Sequence, residues 1–307
     1  MADGTLPATT PAHAATVLDL SSNPADRAWR YPLARLLLPL APGFLTPAHV
    51  TVFHTVLGVG AAALVVRATP GSLAVAFLLY EVRAILDCFD GVLARARGLS
   101  SPLGRAMDQA GDSIAFAAFV IGAGMALSRS YGVVFGATLA FLATLAASCG
   151  TACWDYFRRR ISSLIEHGRD EVEEEYIRVV AAHRAEGGFA RWFARVVATY
   201  QFGMLNPRAM GRLNAEAARY DGLVSRPHDP AEARVAERLR DMVRRDDPAL
   251  RGALWQVGVT GGDSTFLLLT LAAGVGAMRG GFVLACVFTL GCVVATTVRC
   301  NRLLARA

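Results

Sequence analysis

Long apolar stretches recur along this chain of 307 residues, and they constrain its fold more than any other feature. A helix needs about 20 consecutive apolar residues to cross the hydrocarbon core of a bilayer. Six stretches approach that length: residues 46–67, 71–90, 106–128, 132–153, 256–278 and 281–299. With a hydrophobic content of 54%, this pattern predicts an all-α integral membrane protein with six transmembrane helices and argues against a soluble bundle.

The distribution of the basic residues predicts the orientation. All of them except histidine are arginine, and they gather before the first span, between the second and third, after the fourth and at the end of the chain. The remaining connections hold one each, namely Arg67, Arg129 and Arg279. By the positive-inside rule, both termini face the cytoplasm from the cytoplasmic membrane. The net charge of +6 then reflects topology and anionic lipid rather than nucleic-acid binding.

The chain divides into a membrane core and less apolar segments. The first residues lack the basic region and apolar core of a signal peptide. The expected organisation is a mobile N-terminal tail over 1–26, an interfacial amphipathic helix over 27–43, transmembrane helices 1–4 over 44–153, a helical cytoplasmic insert over 154–255, and transmembrane helices 5–6 with a C-terminal tail over 256–307. A plain linker is the alternative for 27–43. The last two spans should form a hairpin that turns at residues 278–280.

Four aspartates lie where the second span ends and the third begins: Asp87, Asp90, Asp108 and Asp112. An acidic residue at membrane depth costs about 2.5–3.5 kcal/mol. The spacings i,i+3 and i,i+4 put both members of each pair on one helix face. Two like charges 4 Å apart repel by roughly 4 kcal/mol at an effective dielectric constant near 20. Either several of these carboxyls are protonated or a multivalent cation lies among them, and we favour the cation.

The predicted topology places both pairs at the cytoplasmic side of adjacent antiparallel helices. An oxygen-only site of this kind suits Mg²⁺, Mn²⁺ or Ca²⁺. Gly91 and Gly104 leave room for a ligand, Ala94 keeps the same face narrow, and Arg95 can offer a forked donor to phosphate. These residues describe a site for a metal-bound pyrophosphate ester. The reaction class that follows is transfer at phosphorus, with one aspartate available to take a proton from an attacking hydroxyl.

The pattern D-x2-D-G-x2-A-R-x8-G-x3-D-x3-D from Asp87 to Asp112 resembles the signature of the CDP-alcohol phosphotransferases, membrane enzymes of phospholipid biosynthesis. The segment LTPAHVT (45–51) resembles the entry of that family into its first span. The resemblance implies a six-helix membrane core, a homodimer, and transfer of a phosphatidyl or phospho-head-group from a CDP-activated donor to an alcohol with release of CMP.

The resemblance also implies roles for individual residues. Mg²⁺ or Mn²⁺ would be held by Asp87, Asp90, Asp108 and Asp112. The catalytic residues would be Asp108 and Asp112, with Asp112 as a metal ligand or as the base on the acceptor alcohol. The CDP moiety would be lined by Asp90, Gly91, Ala94, Arg95 and Gly104.

The acceptor is left open by the sequence. CDP-diacylglycerol with a small polar alcohol is favoured, and a CDP-choline or CDP-ethanolamine type of transfer to a diacylglycerol-like lipid is the alternative, since the segment SSPLG (100–104) resembles that branch. Arg158 could contact an acceptor phosphate or only anionic lipid. Asp263 could contact the head group or only cap the fifth span.

Two other classes of protein compete with an enzyme. A divalent-cation transporter would need polar residues along a path to the outer face, but residues 71–80 and 116–128 carry no charged residue. A non-catalytic membrane scaffold would not need the Gly, Ala and Arg frame around the aspartates. We interpret His54, within the first predicted span, as a packing histidine rather than a ligand.

Overall fold

The computed structural model describes Val17, residues 20–220 and residues 230–306. The protein is 88% helical, and the described residues contain no strand. Twelve α-helices follow one another in these ranges: α1 Tyr31–Leu37, α2 Pro47–Arg67, α3 Pro70–Ala96, α4 Pro102–Tyr131, α5 Val133–His167, α6 Glu171–Glu186, α7 Phe189–Leu205, α8 Met210–Arg219, α9 Pro230–Arg244, α10 Pro248–Thr260, α11 Gly262–Gly274 and α12 Met278–Arg306. The prediction of an all-α protein is confirmed.

Four helices are long and apolar enough to cross a membrane, namely α2, α4, α5 and α12, and the broken pair α10 and α11 could form a fifth span. Helix α3 has 27 residues and is also long enough, at about 1.5 Å per residue. Every 18-residue stretch of α3, however, contains Glu81, Arg83 and Asp87. Helix α3, which carries Asp87 and Asp90, is therefore too charged to count among the apolar helices, whereas α4, which carries Asp108 and Asp112, is among them. The protein is a multi-pass membrane protein, and the count of six spans stays a prediction.

The segment before the first span is helical and packed. Most of the predicted tail over 1–26 lies outside the described residues, but Asn23 donates from Nδ2 to Ser264 Oγ at 3.0 Å. A π-helix over Asp26–Arg30, helix α1 and a 3₁₀ turn over Leu38–Leu40 then follow without interruption. The structure therefore supports a helix within 27–43, while its place at the membrane surface stays a prediction.

Helices α2, α3 and α4 begin in the same way. In each, a hydroxyl residue caps the helix and proline occupies the first helical position; the pairs are Thr46-Pro47, Thr69-Pro70 and Ser101-Pro102. The three hydroxyl oxygens accept backbone N–H groups of the first turn at 3.3, 3.2 and 3.0 Å. Because the cap satisfies an N–H group that would otherwise lack a partner, and proline has none to satisfy, these dipeptides fix where each helix starts.

The last part of the chain differs from the prediction at two points. The turn before α12 lies at residues 275–277, with Gly276 at φ +73°, and Met278 already belongs to the helix. The predicted boundary at residue 255 falls inside α10, which starts at Pro248 because Asp247 caps it by accepting Ala249 N at 2.7 Å. The break between α10 and α11 comes instead at Gly261.

The chain forms two compact units, and one of them comprises residues 23–150 and 262–291. Its core contains an aromatic group from three helices: Tyr80 of α3, Phe119 of α4 and Phe266 of α11. The three rings meet edge to face with centroids 5.2–5.3 Å apart. Such pairs add about 0.5–1.5 kcal/mol each beyond the area that they bury.

Small residues let α2 and α4 approach each other closely. A Cβ atom at Gly58 would lie 2.7 Å from Ala115 Cβ, and one at Gly122 would lie 2.9 Å from the carbonyl oxygen of Ala62. A Cβ atom at Gly111 would collide with Thr55 Oγ1. Glycine at such contacts is typical of helices that pack within a membrane, where close backbone approach drives association.

The other unit comprises residues 1–22, 151–261 and 292–307, as far as they are described, and includes the predicted insert. The insert is helical, as predicted. Arg160 lies at its centre and donates to Asp170 at 2.6 Å and to Glu173 at 3.2 Å. Both carboxylates are buried, and Arg212 also pairs with Glu173. The acidic run of the sequence is thus partly an internal ion-pair network.

Candidate metal centre

Three of the four aspartates and one histidine converge at a single point. One carboxylate oxygen of each of Asp87, Asp90 and Asp108 and one ring nitrogen of His54 all lie within 4.8 Å of one another. The His54 Nε2 atom is 3.6 Å from Asp87 Oδ1, 3.3 Å from Asp90 Oδ2 and 3.9 Å from Asp108 Oδ1. Four potential ligands therefore surround one small volume.

Each ligand reaches this volume because of its helix. Asp87 and Asp90 share a face of α3, as their i,i+3 spacing predicts, and Asp108 comes from the first turns of α4. His54 projects from α2 and is fully buried. Thr51, one turn before it, donates from Oγ1 to Asp90 Oδ2 at 2.7 Å and so fixes the orientation of that carboxylate.

The donor atoms fit a divalent cation. Asp87 Oδ1 and Asp108 Oδ1 are buried and have no hydrogen-bond partner among the described residues. A buried oxygen without a partner costs about 1–3 kcal/mol, and more when it is charged. A cation between the two oxygens would remove that cost as well as the mutual repulsion of the carboxylates. The residues present therefore suit a bound metal.

Asp112 takes a different place from the one predicted for a metal ligand. Its carboxylate forms an ion pair with Arg83, one turn before Asp87 on α3, and it is not a member of the four-residue group. Arg83 is buried, its guanidinium lies 6.0 Å from the ring centroid of Phe266, and its Nε atom has no partner among the described residues. Arginine thus holds the fourth aspartate beside the cluster rather than within it.

The predicted nucleotide-binding residues lie along α3 and at the start of α4. Gly91 is covered by the guanidinium of Arg95, since a Cβ atom at position 91 would be 3.4 Å from Arg95 Nη1. Arg95 is exposed and Ala94 is half-buried. Gly104 donates its backbone N–H to Ser101 at the N-terminus of α4. The structure leaves Gly91, Ala94, Arg95 and Gly104 at least partly accessible but buries Asp90, and the binding of CDP by these residues stays a prediction.

A small polar cavity adjoins Asp87. Its volume is about 20 Å³, enough for roughly one water molecule. The side chains that line it are unusually polar for a membrane core: Asp26, Arg30, Tyr80, Glu81, Arg83, Asp87, Asp263 and Thr270, with Ala84, Phe266 and Leu267. Arg30 binds Glu81 at 2.7 Å across it, and the Tyr80 hydroxyl has no partner among the described residues. The predicted acceptor residue Asp263 therefore lies beside the metal cluster.

The other predicted acceptor residue, Arg158, belongs to the second unit. Its guanidinium stacks over the ring of Trp154 at 4.6 Å from the centroid. A role in binding the acceptor stays a prediction.

Two residues of the site were not predicted from the sequence: His54 and Thr51. His54, interpreted from the sequence as a packing histidine, is fully buried and lies 3.3–3.9 Å from oxygens of three carboxylates. One signal was available, because an ionisable residue within an apolar span usually faces a polar interior. His54 and Thr51 are one turn apart on α2, and Arg83 is one turn from Asp87 on α3. For Glu81 and Arg83 the sequence leaves open a mutual ion pair and a contact with substrate; in the structure Arg83 pairs with Asp112 and Glu81 with Arg30.

The comparison with known proteins gives one match. Residues 44–162, which are 119 of the 307 residues, match the family model described as CDP-alcohol phosphatidyltransferase. No curated protein and no solved structure gives a significant match. The matched region contains α2, α3 and α4 with all four aspartates and His54. Members of this family transfer a phosphatidyl group from a CDP-alcohol to an alcohol and generally depend on a divalent metal. Residues 44–162 of this chain are therefore similar to the CDP-alcohol phosphatidyltransferase family, the family that the sequence pattern resembles.

Proposed function

We propose that this protein is a Mg²⁺- or Mn²⁺-dependent CDP-alcohol phosphotransferase of phospholipid biosynthesis. The observation that carries the proposal is the convergence of Asp87, Asp90 and Asp108 inside the matched region, with two buried carboxylate oxygens left without partners. A site that holds divalent cations among carboxylates is suited to a substrate that brings its own phosphate oxygens.

The donor would bind with its pyrophosphate at the three aspartates. The metal, when bound, would neutralise charge that develops on the phosphate oxygens. Gly91 and Gly104 leave space for the nucleotide, and Arg95, which is exposed beside Gly91, can present two parallel N–H donors to a phosphate. These residues would orient the reacting phosphorus toward the acceptor.

Asp112 is proposed as the base. The hydroxyl oxygen of the acceptor forms a bond to the donor's phosphorus that bears the lipid or head group, and the bond from that phosphorus to the bridging oxygen breaks, so that CMP leaves. The hydroxyl proton passes to the Asp112 carboxylate. The ion pair with Arg83 supports this role, because it keeps the carboxylate oriented next to the cluster.

For the substrates, we propose CDP-diacylglycerol as the donor and a small polar alcohol as the acceptor. The polar side chains beside Asp87 support this choice, since Glu81, Arg83 and Asp263 could hydrogen-bond hydroxyl groups. The cavity that they line holds about one water molecule, so the support comes from the polarity of these side chains and not from the volume of the cavity. A diacylglycerol-like acceptor, as in CDP-choline or CDP-ethanolamine transfer, remains the second candidate and would need an apolar surface there.

The predicted topology completes the proposal. Both termini and the active site would face the cytoplasm from the inner membrane, and the arginines around Arg158 would contact anionic lipid or an acceptor phosphate. The chain would act as a homodimer. Cysteine labelling at residues 129–131, which end α4 in the structure, tests the orientation, and reactivity from the cytoplasmic side would overturn it.

The decisive experiment measures CMP release by the purified full-length protein in lipid nanodiscs. CDP-diacylglycerol is offered with glycerol phosphate, inositol, inositol phosphate or serine, and CDP-choline is offered with diacylglycerol. We expect CMP release with one donor type, abolished by EDTA and restored by Mg²⁺ or Mn²⁺.

The Asp108→Asn variant should lose at least 10²-fold in rate, because it removes one cluster ligand. Asp246→Asn is the matched control, since Asp246 is an exposed aspartate of the insert that pairs with Arg251. Unchanged CMP release by the Asp108 variant would refute the proposed site. Metal-dependent uptake of Mn²⁺ into liposomes, with no CMP release from any donor, would favour the transporter.

A further inference from the structure

We propose that His54 supplies a nitrogen ligand to the metal centre and that this ligand makes the site prefer Mn²⁺ to Mg²⁺. The inference deepens the proposed function, because it concerns the same cluster of aspartates. It also departs from the sequence pattern, which contains only oxygen donors.

The distances place the His54 Nε2 atom at ligand spacing. Six ligands about 2.1 Å from an ion lie roughly 3 Å from their neighbours and roughly 4.2 Å from the ligand opposite. Nε2 lies 3.3, 3.6 and 3.9 Å from oxygens of three different carboxylates. The contact with Asp90 Oδ2 is a hydrogen bond, and the oxygens of Asp87 and Asp108 lie slightly farther away, so that Nε2 faces all three carboxylates.

The surroundings of the ring leave Nε2 facing the carboxylates. His54 is fully buried, and its other nitrogen, Nδ1, has no hydrogen-bond partner among the described residues. The cost of that orphaned nitrogen is similar in either neutral tautomer, so it does not decide which nitrogen carries the proton. Asp90 Oδ2 accepts the hydroxyl of Thr51 at 2.7 Å and also lies within hydrogen-bonding distance of His54 Nε2, at 3.3 Å. Because Thr51 supplies a donor, Asp90 keeps a partner when Nε2 binds a metal ion instead. Gly111 limits the ring from the other side, since a Cβ atom there would be 3.7 Å from His54 Cε1.

The ligand set determines which cation is favoured. Mg²⁺ prefers oxygen ligands and retains its water. Imidazole suits Zn²⁺, Cu²⁺, Fe²⁺ and Ni²⁺, and Mn²⁺, although it favours oxygen ligands, belongs to the same first-row series. Mn²⁺ accepts both carboxylate and imidazole, so three aspartates and one histidine fit it better than Mg²⁺. An ordinary ion pair of a protonated His54 with the aspartates would produce no such preference.

The test is a direct measurement of metal binding, without donor or acceptor. The full-length protein, purified without a polyhistidine tag, is loaded with Mn²⁺ and studied by electron spin echo envelope modulation. We expect modulation from a coordinated ¹⁴N nucleus, which changes when the histidines are labelled with ¹⁵N. His54→Gln should abolish the nitrogen signal and weaken Mn²⁺ binding by roughly 10–100-fold, with a smaller effect on Mg²⁺ binding. His49→Gln is the matched control, because His49 is exposed on the same helix and lies outside the cluster.

The outcomes separate this inference from the proposed function. Loss of Mn²⁺ binding in Asp108→Asn would show that the ion binds at the cluster. If the ion bound there shows no nitrogen modulation, the proposed role of His54 is overturned. The role of His54 is also overturned if His54→Gln keeps the wild-type ratio of Mn²⁺ affinity to Mg²⁺ affinity. Neither finding would change what the measurement of CMP release shows about the proposed transferase activity. Conversely, a nitrogen signal in a protein that releases no CMP would support His54 and refute the transferase.

Discussion

The close approach of α2 and α4 is the feature that brings His54 next to Asp108, and it can be tested by adding a single methyl group. Gly122 of α4 is buried against the backbone of α2, where a Cβ atom would lie 2.9 Å from the carbonyl oxygen of Ala62. A carbonyl oxygen cannot rotate away as a side chain can. Gly122→Ala therefore requires the two helices to move apart.

The magnitude follows from comparison with a glycine that has free space. Gly60 is exposed on α2, and a Cβ atom there would meet nothing within 4 Å. Both substitutions gain roughly 0.5–1 kcal/mol, because alanine loses less backbone entropy than glycine in a helix. That gain cancels in the comparison. The difference between the two variants is therefore the overpacking term, about 1–3 kcal/mol.

A third variant gives an intermediate case. At Gly111 the added Cβ would collide with Thr55 Oγ1, a hydroxyl that now donates to Thr51 O at 2.8 Å and can rotate. The loss is then about one hydrogen bond, 0.5–1.5 kcal/mol. We expect stability to decrease in the order Gly60→Ala, Gly111→Ala, Gly122→Ala.

The assay is thermal unfolding of the detergent-solubilised protein at fixed detergent and salt, combined with Mn²⁺ titration. At about 2–4 °C per kcal/mol, the midpoints of Gly60→Ala and Gly122→Ala should differ by roughly 2–12 °C. Mn²⁺ should also bind more weakly to Gly122→Ala, since a shift of α4 against α2 separates Asp108 from His54. Equal midpoints for these two variants would refute the packing of α2 on α4 described above.

Two further predictions concern residues outside the cluster. Arg160→Met leaves the buried Asp170 without its ion-pair partner and should lower the free energy of unfolding by about 3–5 kcal/mol. Arg159 is exposed, so Arg159→Met should lower it by less than about 1 kcal/mol. Chemical denaturation measures both values. Comparable losses in both variants would contradict the buried network. Arg97→Met removes donors to the carbonyls of residues 41–45 and should speed proteolysis of that segment several-fold, with the exposed Arg105→Met as the control. An unchanged cleavage rate would show that Arg97 does not fasten the segment.

Much of the fold could be predicted because it depends on local chemistry. The helices of the membrane core match the apolar stretches within a few residues for the first and third spans and for the start of the fourth, whose helix continues to His167, 14 residues beyond the predicted end at 153. Their starts follow from Thr-Pro and Ser-Pro dipeptides, which act within one turn. The break at Gly261 and the turn at residues 275–277 were misplaced, because a continuous apolar pattern does not reveal where a helix is interrupted.

The sequence by itself determined which helices carry the candidate site and that Asp87 and Asp90 share a face, because the 3.6-residue period fixes that relation within one helix. Only the tertiary structure decided which groups meet between helices. It brought His54 of α2 among the aspartates and paired Asp112 with Arg83 outside the four-residue group. These contacts depend on how far apart and in what rotation the helices pack, which is set by glycine contacts distant in sequence from the aspartates, such as that of Gly122.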